Sequence, residues 1–365
     1  MNILTKESMK IAMLYGGGQI PSANHILGVF AEKLLHLGFE VYGVHKSFLG
    51  LTDSSCYERI TLKKAREIQK MPGTYLSTCR DVDPANDMYF YKIIENLREK
   101  DIHVLIIPGG DGSSRAGRDF VYCARQTGYP IQVIFVPCTI DGIEGSETIG
   151  KDPAVKESTR HVVSIIANAW ATWRPTYKVP RVAIIEIQGR NRNDIAVGVM
   201  DNLINDYINK YNINDVKIIF IPAGHKWKVE TLVNKVLAED KKVAIVVAEG
   251  AVPEDIFWDA FTGKGIGQKL ETIVKCRKLR EANLDVVGYL SQTNNCVSEE
   301  EMNKIDEWTS FAIKFMTETD ESIAVIKNGE DYTYMSLKEF ADGTNSKKAV
   351  SLTEEEKAKF KDYLV

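Results

Sequence analysis

Short apolar runs alternate with stretches of helical spacing along almost the whole chain. The apolar runs predict strands at 11–15, 41–44, 103–107, 131–136, 182–187, 216–221, 243–248, 286–289 and 323–326. Between them, apolar residues recur at the intervals that line one face of a helix. The stretch 22–37 carries Ile26, Val29, Phe30, Leu34 and Leu37 on one side, and 88–100 carries Tyr89, Ile93, Ile94 and Leu97. Further helices are predicted over 113–122, 153–173, 194–208, 229–238, 267–280 and 300–315, the second of these ended by Pro175. The run 243–248 has no polar alternation, as a strand covered on both faces requires. Strands alternating with helices of this length read as right-handed βαβ units around mainly parallel sheets, so the fold class is α/β. The tail 346–365 is charged and helical in pattern, with Leu352, Phe360 and Tyr363 as its apolar points.

Composition narrows the functional classes. A chain of 365 residues is long enough for two lobes. Lys plus Arg number 46 against 50 Asp plus Glu, a net charge of −4, so no basic field points to a nucleic-acid partner. No apolar run approaches the length of a membrane span, and the N-terminus lacks the layout of a signal peptide. No membrane association is expected, and the expected location is the cytoplasm. Cys56, Cys79, Cys123, Cys138, Cys276 and Cys296 show no paired metal-ligand spacing and read as reduced thiols.

The residues that can carry chemistry stand just after the apolar runs. Pro108-Gly109-Gly110-Asp111-Gly112-Ser113 follows the run 103–107 and precedes a helical pattern. Glycines let a phosphate approach the backbone, and the helix N-terminus supplies free N–H groups. Asp111 sits where a divalent ion on those phosphates needs an oxygen ligand. The run 131–136 leads into Pro137-Cys138-Thr139-Ile140-Asp141, which projects Asp141 beyond the strand end. Gly16-Gly17-Gly18 follows the first run, with Ser22 placed to cap the next helix. Ligands of open parallel sheets bind beyond the carboxyl ends of the strands. Two acids leaving nearby strand ends, one for metal and one as base, suit phosphoryl transfer to a hydroxyl. Each residue also has an ordinary reading: Gly16 to Gly18 as turn geometry, Asp141-Gly142 as a turn pair, Arg190 and Arg181 as surface charges. Glu249 ends a run too apolar for an unpartnered carboxylate.

Together these motifs resemble the phosphofructokinase family, in order and spacing, from Ile11 to about Asn294. The matching segments are Gly16-Gly17-Gly18-Gln19-Ile20-Pro21-Ser22-Ala23-Asn24, Gly73-Thr74-Tyr75-Leu76 with Arg80, the Gly109 to Ser113 turn and Thr139-Ile140-Asp141. Thr148-Ile149-Gly150, Glu186-Ile187-Gln188-Gly189-Arg190 and Ala248-Glu249 complete them. The resemblance implies two Rossmann-like lobes: residues 1–150 as a larger nucleotide- and Mg²⁺-binding lobe completed by about 290–365, and 151–289 as the acceptor lobe. It implies an ATP-dependent kinase with Asp141 as base, Thr139 and Arg190 beside the transferred group, and Asp111 as the Mg²⁺ partner. Gly17, Arg80, Gly110, Gly112 and Ser113 become phosphate or nucleotide contacts. Arg181, Gln188, Gly189, Glu249, Tyr289 and Gln292 fall on the sugar side. Arg181 falls where the family reaches across a subunit interface, which implies a homo-oligomer, dimer or tetramer.

The donor is expected to be ATP. The residue after the metal aspartate is usually glycine in the family's ATP users and aspartate in its pyrophosphate users, which also tend to carry lysine two residues before Ile-Asp. Here these positions are Gly112 and Cys138. The acceptor side departs from the family. The usual Thr-Ile-Asp-Asn-Asp loop is shortened to Thr139-Ile140-Asp141-Gly142-Ile143-Glu144, leaving only Glu144 to stand in for the second aspartate. The usual Gly-His-x-x-Arg is Gly288-Tyr289-Leu290-Ser291-Gln292, an expected arginine falls near Asn283, and an expected methionine is Gln188. Each cation removed from a phosphate pocket forfeits a charge-assisted hydrogen bond of roughly 1.5–3 kcal/mol. The expectation is therefore a kinase for a sugar, sugar phosphate or related polyol, with fructose 6-phosphate disfavoured; the alternatives are a conventional 6-phosphofructokinase, a non-catalytic nucleotide-binding protein and a pyrophosphate-dependent kinase. Gly28 and Glu32 occupy places where effector-binding arginines are common in bacterial relatives, so regulation by the usual effectors is not expected.

Overall fold

The computed structural model describes residues 9–80, 82–143, 145–171, 182–189, 192–210, 216–239, 242–255, 265–276, 282–288, 297–343 and 350–365. The strands are β1 (Lys10–Met13), β2 (Glu40–Val44), β3 (Tyr57–Arg59), β4 (Ile102–Gly109), β5 (Gln132–Pro137), β6 (Val182–Ile187), β7 (Val216–Ile221), β8 (Lys242–Ala248), β9 (Ala282–Val287), β10 (Ile323–Asn328) and β11 (Asp331–Ser336). They form a seven-stranded sheet of order β11-β10-β5-β4-β1-β2-β3 and a four-stranded sheet of order β7-β8-β6-β9. All pairings in the second sheet are parallel, as are those linking β10, β5, β4, β1 and β2. Only the edge strands β3 and β11 run antiparallel to their neighbours. The class is α/β with mainly parallel sheets.

Two compact units follow from the packing: Met1–Pro153 with Gln292–Asn345, and Ala154–Ser291 with Ser346–Val365. In the first, the faces of the large sheet bury Leu105, Ile107, Val133 and Phe135 against Phe90, Phe120 and Phe340 from helices. In the second, Val182, Ile184, Ile219, Ile245 and Val247 pack on Leu232, Val236 and Leu270. Helices end where local chemistry dictates. The helix Asp87–Lys100 starts at Asn86, whose Oδ1 accepts the Met88 N–H, and ends at Asp101 in the left-handed region.

Three differences from the sequence expectation have physical causes. The tail was expected with the N-terminal lobe, but it belongs to the second unit: Phe360 packs edge-on against Phe220, whose N–H donates to Tyr363 O at 2.8 Å. Its helix shrinks to Glu354–Lys359, closed by a capping box between Thr353 and Glu356, because the last residues lie along the β7 edge instead. The last strand of the second sheet is centred earlier than 286–289, since β9 is an edge strand whose Asn283, Asp285 and Val286 are exposed, and no apolar run marks it. The helix expected over 194–208 is interrupted by a π-turn at Leu203–Tyr207.

Candidate active site

β1 leads to β2 on one side of itself and pairs with β4 on the other, which creates a crevice beyond their carboxyl ends. Residues 16–18 leave β1, residues 109–112 close β4 and open the helix Asp111–Gln126, and residues 139–141 follow β5. Backbone bonds join the three: Gly16 N–H donates to Pro108 O at 2.9 Å and Cys138 N–H to Gly109 O at 2.8 Å. Gly17 has φ +95°, in the region that favours glycine, and its missing Cβ would stand 3.8 Å from Ser113 Oγ and 3.9 Å from Gly110 N. A Cβ on Gly16 would collide with Ser113 Oγ, and the room a Gly18 side chain would need is taken by the Arg80 guanidinium. A Cβ on Gly110 would lie 3.5 Å from Thr139 Oγ1. Gly17, Arg80, Gly110, Ser113 and Thr139 therefore surround one cradle in the first unit.

Asp111 is the first residue of its helix, with Gly110 at the cap position. Its Oδ2 lies 3.8 Å from Arg115 Nη1, while Oδ1 is buried with no hydrogen-bond partner. A buried carboxylate oxygen without a donor is costly unless something else meets it. A hard divalent cation carried in on phosphates is such a partner, because Mg²⁺ typically takes only one or two protein carboxylates beside phosphates and water. Among the described residues, no three His, Cys, Asp or Glu side chains gather as a metal cluster.

Thr139 Oγ1 accepts the Asp141 N–H at 3.2 Å, and Thr139 N–H donates to Ile149 O at 3.1 Å. Asp141 is half-buried, and Gly142 beyond it has φ +68°. The chain bends at Asp141, and Gly142 takes up the left-handed backbone there. Cys138 beneath this loop is fully covered, and Tyr15 O–H donates toward its carbonyl oxygen at 3.3 Å and its Sγ at 3.6 Å. Burial pushes the Cys138 thiol well above its ordinary range, which keeps it protonated and unreactive.

In the second unit, Gln188 and Gly189 leave β6, Glu249 leaves β8 and Gly288 leaves β9, three neighbouring parallel strands. Glu249 N–H donates to Ile187 O at 2.9 Å, and a Cβ on Gly288 would stand 3.3 Å from Gln188 Nε2. Gly189 has φ +138°, with Arg192 N–H donating to its oxygen at 2.9 Å. Gln188, Gly189 and Glu249, expected on the sugar side, therefore share one end of this sheet. Asn283 stands exposed near the opposite end of β9. Arg181, Arg190, Tyr289, Gln292 and Glu144 lie outside the described residues.

Two buried acids, Glu186 and Glu301, were given no role by the sequence reading. Glu186 in β6 is 6% exposed, and its Oε2 accepts the Gly267 N–H at 2.7 Å, at the start of the helix Ile266–Cys276. Burial pushes its carboxyl up, this hydrogen bond opposes the rise, and the neighbouring Glu249 adds to it. A lone Glu in an otherwise apolar run was the available signal. Glu301 is 2% exposed and accepts hydrogen bonds from Gly150 N at 2.7 Å and Ser22 Oγ at 3.2 Å. Ser22 occupies the cap position of the helix Ala23–His36 but makes no capping bond, so the capping role expected for it is not realised.

The helix Ala23–His36 also shows why positions 28 and 32 carry no arginine. A Cβ on Gly28 would collide with Gln69 Cγ and stand 2.7 Å from Ala65 O. Glu32 accepts from Arg66 Nε and Gln69 Nε2, each at 2.8 Å.

The protein is thus a doubly wound α/β protein with glycine turns at the carboxyl ends of its strands. The family model for phosphofructokinase matches residues 10–306, and the chain belongs to the phosphofructokinase family. It is 32% identical over 191 residues to the ATP-dependent 6-phosphofructokinase of Aquifex aeolicus, a match covering 52% of this chain and 56% of that protein. Against the ATP-dependent 6-phosphofructokinase of Lysinibacillus sphaericus the identity is 27% over 291 residues, covering 78% of each chain. The match thus spans little more than half the length of the Aquifex relative. A crystal structure of pyrophosphate-dependent phosphofructokinase from Nitrosospira multiformis superposes with a TM-score of 0.74 at 15% identity, covering 98% of this chain and 90% of that one. At that identity the likeness establishes the fold. No helix among the described residues is long and apolar enough to cross a membrane.

Proposed function

We propose that the chain is an ATP- and Mg²⁺-dependent phosphotransferase that moves the γ-phosphoryl group to a hydroxyl of a sugar, sugar phosphate or related polyol. The observation that carries this reading is the buried Oδ1 of Asp111, which has no hydrogen-bond partner, on the residue that follows Gly110 of the glycine cradle. The acceptor hydroxyl attacks the γ-phosphorus as its proton passes to Asp141; the new O–P bond forms while the bond to the β-phosphate oxygen breaks, and ADP leaves. Backbone N–H groups of Gly17, Gly18 and residues 110–112, with Arg80, hold the donor phosphates, and Thr139 fixes the base loop. Asp111 would hold a Mg²⁺ ion, which would supply charge neutralisation for the donor phosphates. Arg190 is assigned to the migrating charge, and Gln188, Gly189, Glu249, Arg181, Tyr289 and Gln292 to the acceptor.

ATP is favoured as donor on two positions. Gly112 adds no second carboxylate beside Asp111, and the buried, Tyr15-bonded Cys138 stands where a pyrophosphate user carries a lysine. The ATP-dependent relatives support the same donor. Arg181 is assigned to a neighbouring subunit's site, so the working form is a homo-oligomer. The test is an ATP-coupled screen of phosphorylated and unphosphorylated sugars and polyols. Saturation by fructose 6-phosphate at micromolar levels would make the chain a conventional 6-phosphofructokinase. Phosphorylation of none of the acceptors, with ATP still bound, would leave a nucleotide-binding protein without catalysis.

A further inference from the structure

Glu301 stands on the helix Glu299–Glu318, 279 residues from Ser22 and 151 from Gly150, the two groups that donate to its Oε1. Each donor leads to one half of the candidate site. Ser22 ends the segment that starts at the glycines 16–18 and opens the helix Ala23–His36. Gly150 follows Ile149, whose N–H donates to Pro137 O and whose oxygen accepts the Thr139 N–H, each at 3.1 Å. Asp141 is two residues beyond Thr139 and bonds back to its side chain. The two segments also touch directly: Gly150 has φ +91°, and a Cβ there would stand 2.6 Å from Ile20 Cδ1.

We propose that Glu301 is a positioning residue whose single carboxyl oxygen clamps the donor-side turn to the base loop, keeping the phosphates and Asp141 in register. The inference rests on the phosphotransferase reading above. Both contacts are donors aimed at Oε1, so the clamp requires an acceptor oxygen there and no charge. Burial pushes the Glu301 carboxyl up, with Asp152 adding to the rise, while the Gly150 and Ser22 bonds and Lys304 oppose it. Its Oε2 is buried without a hydrogen-bond partner, which a carboxylate tolerates poorly. Oε1 serves only as an acceptor of two hydrogen bonds, a role that an amide oxygen also fills.

The test compares Glu301→Gln, Glu301→Ala and Ser22→Ala in the full chain, by hydrogen exchange and by kinetics. Glu301→Ala is expected to lose amide protection in both 16–24 and 139–150. A displacement of about 1 Å at a base costs about a hundredfold, so kcat should fall by that order while the donor KM rises about tenfold. Glu301→Gln is expected to keep protection and kcat within about twofold, the rescue that an acceptor-only role predicts. Ser22→Ala is expected to loosen 16–24 alone. Protection unchanged in either segment of Glu301→Ala, or a Gln variant as impaired as the Ala one, would overturn the proposal. Should Glu301→Ala not fold, an exchange-silent Ser22→Ala does so instead. The exchange arm needs no turnover: linked loosening in a chain that transfers no phosphate would retain the clamp and refute the assigned reaction.

Discussion

Gly112 offers the sharpest test of where the donor phosphates lie. It is exposed, it is the second residue of the helix Asp111–Gln126, and no heavy atom stands within 4 Å of the Cβ it lacks. Its φ lies outside the left-handed region, so Gly112→Asp meets neither a clash nor backbone strain. A carboxylate in the first helical turn contributes about 0.3–1 kcal/mol with the helix dipole. Unfolding of the variant should therefore stay within about 4 °C of the parent, unchanged or slightly later. Donor binding should respond oppositely. A carboxylate about 5 Å from a phosphate charge, at an effective dielectric of about 20, is repelled by about 3 kcal/mol, roughly two-hundredfold in affinity. Titration calorimetry with Mg·ATP measures this without an acceptor, and a thermal melt of the same sample supplies the stability arm. Undiminished ATP affinity would refute the placement of the phosphates over this turn. A melting point lowered by more than about 5 °C would refute the open space at position 112.

The other expectations are simpler. Asp141→Ala should lower turnover by about 10²–10⁴-fold with Mg·ATP affinity intact, and unchanged turnover in the coupled assay would remove Asp141 as base. Asp111→Asn should weaken ATP binding only when Mg²⁺ is present, and EDTA should erase the difference between variant and parent; a metal-independent difference would exclude the assigned ligand. Glu186 has a folded pKa raised above its unfolded value of about 4.3, so the folded state holds the proton more tightly and stability falls as pH rises through that window. Glu186→Gln keeps an acceptor for Gly267 and should flatten the fall, read from urea midpoints between pH 4 and 7; identical slopes would contradict the assignment. Saturating phosphoenolpyruvate should leave activity unchanged, because Gly28 has no room for a side chain and Glu32 is paired with Arg66; strong inhibition would show a competent effector site.

What the sequence made legible depended on how local the signal was. β6, β7 and β8 are covered on both faces, so their apolar runs stood out, and the observed β6 and β7 match the runs at both ends. The edge strands β3 and β11 were not foreseen, since neither is buried and neither shows an apolar run. Helix starts were blurred where glycine serves two ends: the helix expected from Ser113 begins at Asp111, which turns the presumed loop acid into a first-turn residue. The glycines themselves were readable because each answers a local demand, a positive φ at Gly17 or a close approach at Gly16, Gly18 and Gly109.

Ser22 shows where such reading stops. A serine ahead of an apolar helical pattern is the ordinary sign of a cap, since its hydroxyl can accept an orphan N–H of the first turn. The competing partner is a carboxyl 279 residues away, and no spacing rule reaches that far. Ser22 has φ −91° and ψ 3°, away from the extended backbone usual at a cap, and its hydroxyl donates instead to the buried Glu301 Oε1 that also holds the Gly150 N–H. Ser298-Glu299-Glu300-Glu301 likewise has the spacing of a capping box, and Ser298 Oγ does accept the Glu301 N–H at 3.2 Å. The Glu301 side chain nevertheless points to Gly150 and Ser22. The Ser298 cap thus holds, while the Ser22 and Glu301 side chains answer to one tertiary contact. That contact joins the donor turn to the base loop, where the proposed chemistry most needs its parts fixed.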